Sequence, residues 1–148
     1  VNSVDTNILI YASDADCPEH RPAKALMDRA LRERGNWLVA DQVWFEFYKA
    51  LRNPRVFRRP LSAPEAGRRV SELRNRAGFA HCHYMPSAFP EILAELSSQE
   101  FPYQRTHDAI LAATLRSAGV KLLYTRNVKD FTDAGFRVEN PIGLPGVS

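Results

Sequence analysis

The chain has 148 residues, 45% hydrophobic and 25% charged, with 20 Lys and Arg against 17 Asp and Glu, a formal net charge of +3, and two cysteines. This is the profile of one soluble globular domain, long enough to bury on the order of 70% of its unfolded surface without disulfides or a structural metal. Two cysteines are too few for a secreted disulfide framework, and no apolar run approaches the roughly 18 residues of a membrane span, so a reducing cytoplasm is the expected setting.

Short apolar runs alternate with longer helical patterns, which predicts an α/β domain with a mainly parallel sheet of four to five strands. Strands are expected at Val1 to Asp5, Trp37 to Ala40, His83 to Met85, Lys121 to Thr125 and Phe136 to Glu139. The acid at Asp5, with no basic segment before it, argues against a signal peptide. Ala23, Leu26, Met27, Ala30 and Leu31 recur at helical spacing, in a stripe closed by Gly35. A second helix is expected from Asp41, as N-cap, to Asn53, where Pro54 forbids continuation. A third runs from Ser62, with Glu65 completing a capping box, to about Arg76. A fourth spans Ser87 to Ser98, and a fifth Thr106 to Ala118, stopped by Gly119. The domain is expected to cover residues 1–140, leaving 141–148, from Pro141 on, as a loose tail.

Three acids sit among apolar surroundings, where ionised groups are rarely found unless paired or metal-bound, and a fourth lies near a strand's carboxyl end. Asp5 ends the first strand and precedes the apolar Ile8 to Ala12. Glu46 shares a helix side with Val43 and Ala50, and Asp108 shares one with Leu111, Ala112 and Leu115. Asp130 follows the Lys121 to Thr125 strand, and ligands in open α/β sheets bind at the carboxyl ends of strands. Taken singly, each acid has an ordinary reading: Asp5 as a helix cap, Asp108 as a helix N-terminal charge, Glu46 as the partner of an arginine. Taken together they converge on one sheet edge. Two carboxylates about 5 Å apart repel by roughly 3 kcal/mol at an effective dielectric of 20, so such a cluster calls for a cation. Oxygen-only ligands suit Mg²⁺ or Mn²⁺.

At these residues the sequence resembles the PIN-domain family, most closely its VapC-type toxins. The resemblance is carried by Val4-Asp5-Thr6-Asn7-Ile8-Leu9-Ile10-Tyr11-Ala12, by Glu46, by His107-Asp108-Ala109-Ile110-Leu111-Ala112-Ala113, and by Leu123-Tyr124-Thr125-Arg126-Asn127 with Asp130-Phe131. It extends over essentially the whole chain. It implies a three-layer α/β/α sandwich and a metal-dependent endoribonuclease in which Asp5, Glu46, Asp108 and Asp130 hold Mg²⁺ or Mn²⁺ and carry catalysis. Asn7 and Thr125 would orient the site, and Asn127 competes with Asp130 as the last member of the shell. It further implies a homodimer and a VapB-like antitoxin that covers the acids, placing an arginine among them. Exposed apolar residues of the second and third helices are candidate contacts.

Between Lys49 and Arg76 lie nine basic residues against two acids. Arg52, Arg55, Arg58 and Arg59 follow the Glu46 helix in a Pro-bounded loop and are the expected RNA-binding residues, with Phe57 available to stack on an unpaired base. Trp44, Phe47 and Tyr48 have helical spacing and read as core or dimer contact. His81, Cys82 and His83 lack a second ligand pair at zinc spacing. His107 reads as a helix cap, and no serine stands in a nucleophile-elbow pattern. Two other readings compete: a PIN-like module that binds RNA or protein without cutting, and a haloacid-dehalogenase-type phosphatase, which needs a second Asp where Asn7 stands.

Overall fold

The computed structural model describes residues 1–76 and 78–143. Five short strands are all parallel: β1 (Asn2–Val4), β2 (Leu38–Ala40), β3 (Ala80–Cys82), β4 (Leu122–Tyr124) and β5 (Arg137–Glu139). They form a β1-β4-β5 sheet and a β2-β3 pair, joined by a parallel bridge between Asn2 and Trp37, so the spatial order is 3-2-1-4-5. The first strand is therefore central. Its register sets Val4 beside Tyr124, and Trp37 stacks on Tyr124 with ring centroids 5.6 Å apart.

Among the described residues six α-helices connect the strands: α1 (Thr6–Ser13), α2 (His20–Arg32), α3 (Asp41–Leu51), α4 (Ala63–Arg76), α5 (Phe89–Leu96) and α6 (Thr106–Ser117). The chain moves from β1 outward to β2 and β3, then returns across β1 to β4. Right-handed crossovers running in opposite directions place their helices on opposite faces, so α1 to α4 and the α5–α6 pair flank the sheet as outer layers. The sandwich expected from the sequence is this arrangement. Its centre is apolar: Ile8, Leu9, Val39, Phe47, Leu115 and Leu123 are fully buried. A smaller cluster of Ala88, Ile92 and Ala113 lies between α5 and α6. Among the described residues no helix is long and apolar enough to cross a membrane.

Several expectations need correction. The apolar Ile8 to Ala12, given no element from the sequence beyond the cap reading of Asp5, makes up most of α1, whose residues are buried or half-buried on nearly every side, so no amphipathic stripe marks it. The third strand is Ala80–Cys82, not His83 to Met85; the Ala80 N–H reaches the Trp37 carbonyl at 3.0 Å and fixes that register. It is an edge strand with Ala80 and His81 exposed, and so lacks the apolar signature. The cap of α3 is Ala40, without a side-chain bond; Asp41 lies inside the first turn and pairs with Arg74 at 3.3 Å. The fourth predicted helix is a 3₁₀ turn at Pro86–Ala88 leading into α5. In the segment expected to be a loose tail, Ile142 is buried in the core. Residues 144–148 lie outside the described residues.

Candidate active site

The site begins where β1 stops. Asp5, in extended conformation, caps α1: its Oδ1 accepts the Thr6 N–H at 2.7 Å. Its Oδ2 accepts the Thr125 hydroxyl at 2.8 Å and the Asn7 amide at 3.4 Å. Thr125 is fully buried at the end of β4, and its Oγ1 also accepts from Asn7 Nδ2 at 3.2 Å and from the Asn127 N–H at 3.0 Å. One donor and two lone pairs are thereby all used. Asn7 closes the circuit by accepting the Arg126 N–H on its carbonyl oxygen at 3.2 Å. Asp5 is thus a cap and a site acid at once. Burial pushes its carboxyl above the usual range, with the Thr125 and Thr6 bonds opposing and the charges of Glu46 and Asp130 adding to the rise.

Glu46 comes from the second turn of α3. Its Oε2 accepts the Thr6 hydroxyl at 2.6 Å and its Oε1 the Gln42 amide at 3.0 Å, so neutral donors hold it in place of the arginine anticipated for an isolated acid. Asp108 stands in the first turn of α6, half-buried. Its carboxyl is pushed up to about 6, first by burial and then by Asp5, Asp130 and Glu46, with Arg105 opposing. Asp130 lies in the 3₁₀ turn Val128–Phe131 after β4, and its main-chain oxygen accepts from the Arg105 guanidinium. Four acids from four elements therefore act on one another at the carboxyl ends of β1 and β4, where the chain reverses its direction across the sheet. Asp130 is the residue whose charge reaches Asp5 and Asp108, whereas Asn127 is exposed and offers its main-chain N–H to Thr125.

Other sequence candidates fall elsewhere. Arg52, Arg55, Arg58 and Arg59 are all exposed, in the turn after α3. Phe57 is half-buried and packs against the core, so it is not the free stacking ring expected in that loop. Trp44 and Phe47 are core residues and Tyr48 packs beside them. His107 is exposed and makes no cap bond; Arg105 is the N-cap residue of α6. Two residues of the site, Gln42 and Arg105, lie outside every motif read from the sequence, and a third, Thr6, stands inside the Asp5 motif with no role assigned to it from sequence. Thr6 and Gln42 were discoverable as polar neighbours of Asp5 and Glu46 at one-residue and one-turn spacing. Arg105 comes to Asp130 through the fold alone.

Among the described residues, no three acids, imidazoles or thiolates close into a ready-made cation cage. The donor set nonetheless fits a hard divalent cation. It is built from carboxylates, a positive charge relieves their mutual repulsion, and Mg²⁺ keeps several waters while engaging only one or two carboxylates directly.

The family model for the PIN domain matches residues 3–137. The chain is 40% identical over 145 residues to Ribonuclease VapC24 of Mycobacterium tuberculosis, covering 97% of this chain and 99% of that protein. Among solved structures, VapC20 of Mycobacterium tuberculosis, described as a Sarcin-Ricin loop cleaving toxin, superposes with a TM-score of 0.67 at 20% identity, over 92% of this chain and 96% of that one. FitAcB from Neisseria gonorrhoeae superposes with a TM-score of 0.63 at 15% identity, over 97% and 100%. At such identities the two structures speak for the fold alone. With the family's model spanning most of the sequence and a relative matched almost end to end, this chain belongs to the PIN-domain family, alongside the VapC proteins.

Proposed function

We propose that this protein is a divalent-metal-dependent endoribonuclease, the toxin member of a toxin–antitoxin pair, working in the cytoplasm as a single catalytic unit. One observation carries the reading: Asp5, buried at the end of β1 with both oxygens held by Thr6, Asn7 and Thr125, gathers with Glu46, which is tied to the same Thr6, and with Asp108 at the start of α6, whose carboxyl these neighbours and its burial push up. An apo protein gains nothing from that arrangement, whereas a cation converts it into binding energy. The name of the VapC24 relative, a ribonuclease, supports the substrate class.

Asp5 and Asp108 would hold Mg²⁺ or Mn²⁺, with Glu46 and Asp130 completing the shell or holding a second ion. When bound, such a cation supplies Lewis acidity toward water and phosphate oxygens. The chain's own residues do the rest. Thr125, Thr6 and Asn7 fix both oxygens of Asp5, so its charge is aimed before any ligand arrives. Glu46, held by Thr6 and Gln42, is the side chain oriented to take a proton from an attacking water. Arg52, Arg55, Arg58 and Arg59 would hold the RNA backbone. A VapB-like antitoxin inhibits by setting an arginine against the acids. A second copy of the chain would pair through the exposed apolar face of Phe45, Tyr84, Phe89 and Leu93.

The reading is tested by incubating the metal-free protein with transfer, ribosomal and messenger RNAs, with Mg²⁺, Mn²⁺ or chelator. Internal cleavage of one RNA class that needs the cation and stops with chelator is expected. Binding of RNA without cleavage under every metal condition would favour the non-cutting PIN-like module.

A further inference from the structure

Gln42 stands one helical turn before Glu46 on α3. Its Nε2 makes two hydrogen bonds at once: 3.0 Å to Glu46 Oε1 and 2.9 Å to the main-chain oxygen of His107, the residue before Asp108. An amide nitrogen carries two hydrogens, so both are committed. A Gln–Glu pair at this spacing is common on helix surfaces. The second bond is different in kind, because among the described residues it is the one side-chain hydrogen bond between α3 and α6. The other Glu46 oxygen is held at 2.6 Å by Thr6, which directly follows Asp5. A single series of bonds, from Thr6 to Glu46 to Gln42 to the His107 carbonyl, therefore links the three elements that bear Asp5, Glu46 and Asp108. Glu46 cannot rotate without breaking a bond to another element.

We infer that Gln42 is a positioning residue of the acidic site: its amide fixes the Glu46 carboxylate and the separation between Glu46 and the start of α6, and thereby how well the acids share a divalent cation. The inference rests on the reading of this site as a metal-dependent nuclease. Gln42 itself need touch neither cation nor RNA. Outer partners of metal ligands act in this way, by removing alternative orientations of the groups that bind.

The test titrates metal-free protein with Mn²⁺ by calorimetry and measures kcat and KM on a short RNA that the native protein cleaves. Gln42→Met keeps the side-chain length and removes both donors. It should weaken Mn²⁺ binding by about 10–100-fold and lower kcat by a similar factor, leaving KM for RNA within about twofold. Gln42→Asn keeps the amide on a stem one methylene shorter, which cannot span both acceptors, and should fall between. Native Mn²⁺ affinity and kcat in folded Gln42→Met would overturn the inference, as would a loss confined to KM, the mark of a substrate contact. Should Gln42→Met fail to fold, Gln42→Asn decides by the same criteria. If the native protein neither takes up Mn²⁺ nor cuts RNA, the nuclease reading has failed, which is seen before either variant is measured.

Discussion

The two charged regions of this molecule are opposites in more than sign. The acids of the site are few and partly or wholly buried, and two of them, Asp5 and Glu46, are held by hydroxyls and amides. The basic strip is dense, with nine basic against two acidic residues from Lys49 to Arg76, yet its arginines stand mostly in solvent. Its fixed contacts are slight: Arg74 on Asp41 at 3.3 Å, and Arg52 lying over the Tyr48 ring at 5.9 Å. Exposed like charges are screened by salt and water and cost the fold little. Buried ones destabilise it, and a protein keeps them where a paired charge, hydrogen bonds or a ligand offset the cost. Charge density along the sequence thus locates an attractive surface, while displaced charge locates chemistry.

This contrast breaks most sharply in kinetics. Asp5→Asn keeps the helix cap but removes the central negative charge, so kcat should fall by at least about 10³-fold with RNA affinity little changed, as measured by single-turnover cleavage and filter binding. The fourfold variant Arg52→Gln, Arg55→Gln, Arg58→Gln, Arg59→Gln should do the reverse. Affinity should drop by about 10–100-fold, kcat should hold, and the slope of log K against log salt should lose about 3, near 0.7 for each phosphate contact to a single strand. An unchanged slope would remove these arginines from the RNA surface.

The smallest expected effect concerns stability. Asp108 titrates near 6 in the fold and near 3.8 as an ordinary aspartate, so between those values the native state binds more protons than the unfolded chain. Metal-free protein should therefore lose stability as pH rises from about 4 to about 6. Burial and the neighbouring carboxylates move Asp5 in the same direction. Asp108→Asn should lack its share of that loss and melt roughly 2–4 °C above the native chain at pH 7, the change about 1 kcal/mol makes in a domain of this size. Saturating Mn²⁺ should reverse the order, because the native protein gains more from binding it.

Much of this was readable from sequence, for a physical reason. Acids that interrupt apolar periodicity have few explanations, so Asp5, Glu46, Asp108 and Asp130 stand out before any fold is known, and the alternation of strands with helices limits the architecture. What escaped depended on neighbours distant in the chain. The Ile8 to Ala12 run has no polar face because α1 packs against both α2 and α3. The edge strand at Ala80–Cys82 is set by pairing to β2 and not by its own composition. The expected caps Asp41 and His107 carry suitable side chains, but Asp41 meets Arg74 and His107 meets solvent. Thr6, Gln42 and Arg105 are ordinary polar residues until the fold sets them against the acids.

The central position of β1 has a consequence for synthesis. Asp5 is made before the hydroxyl that fixes it, on Thr125, which comes 120 residues later. A growing polypeptide therefore carries its first acid long before the partner that aims it, and the acidic cluster is completed only once β4 has taken its place beside β1.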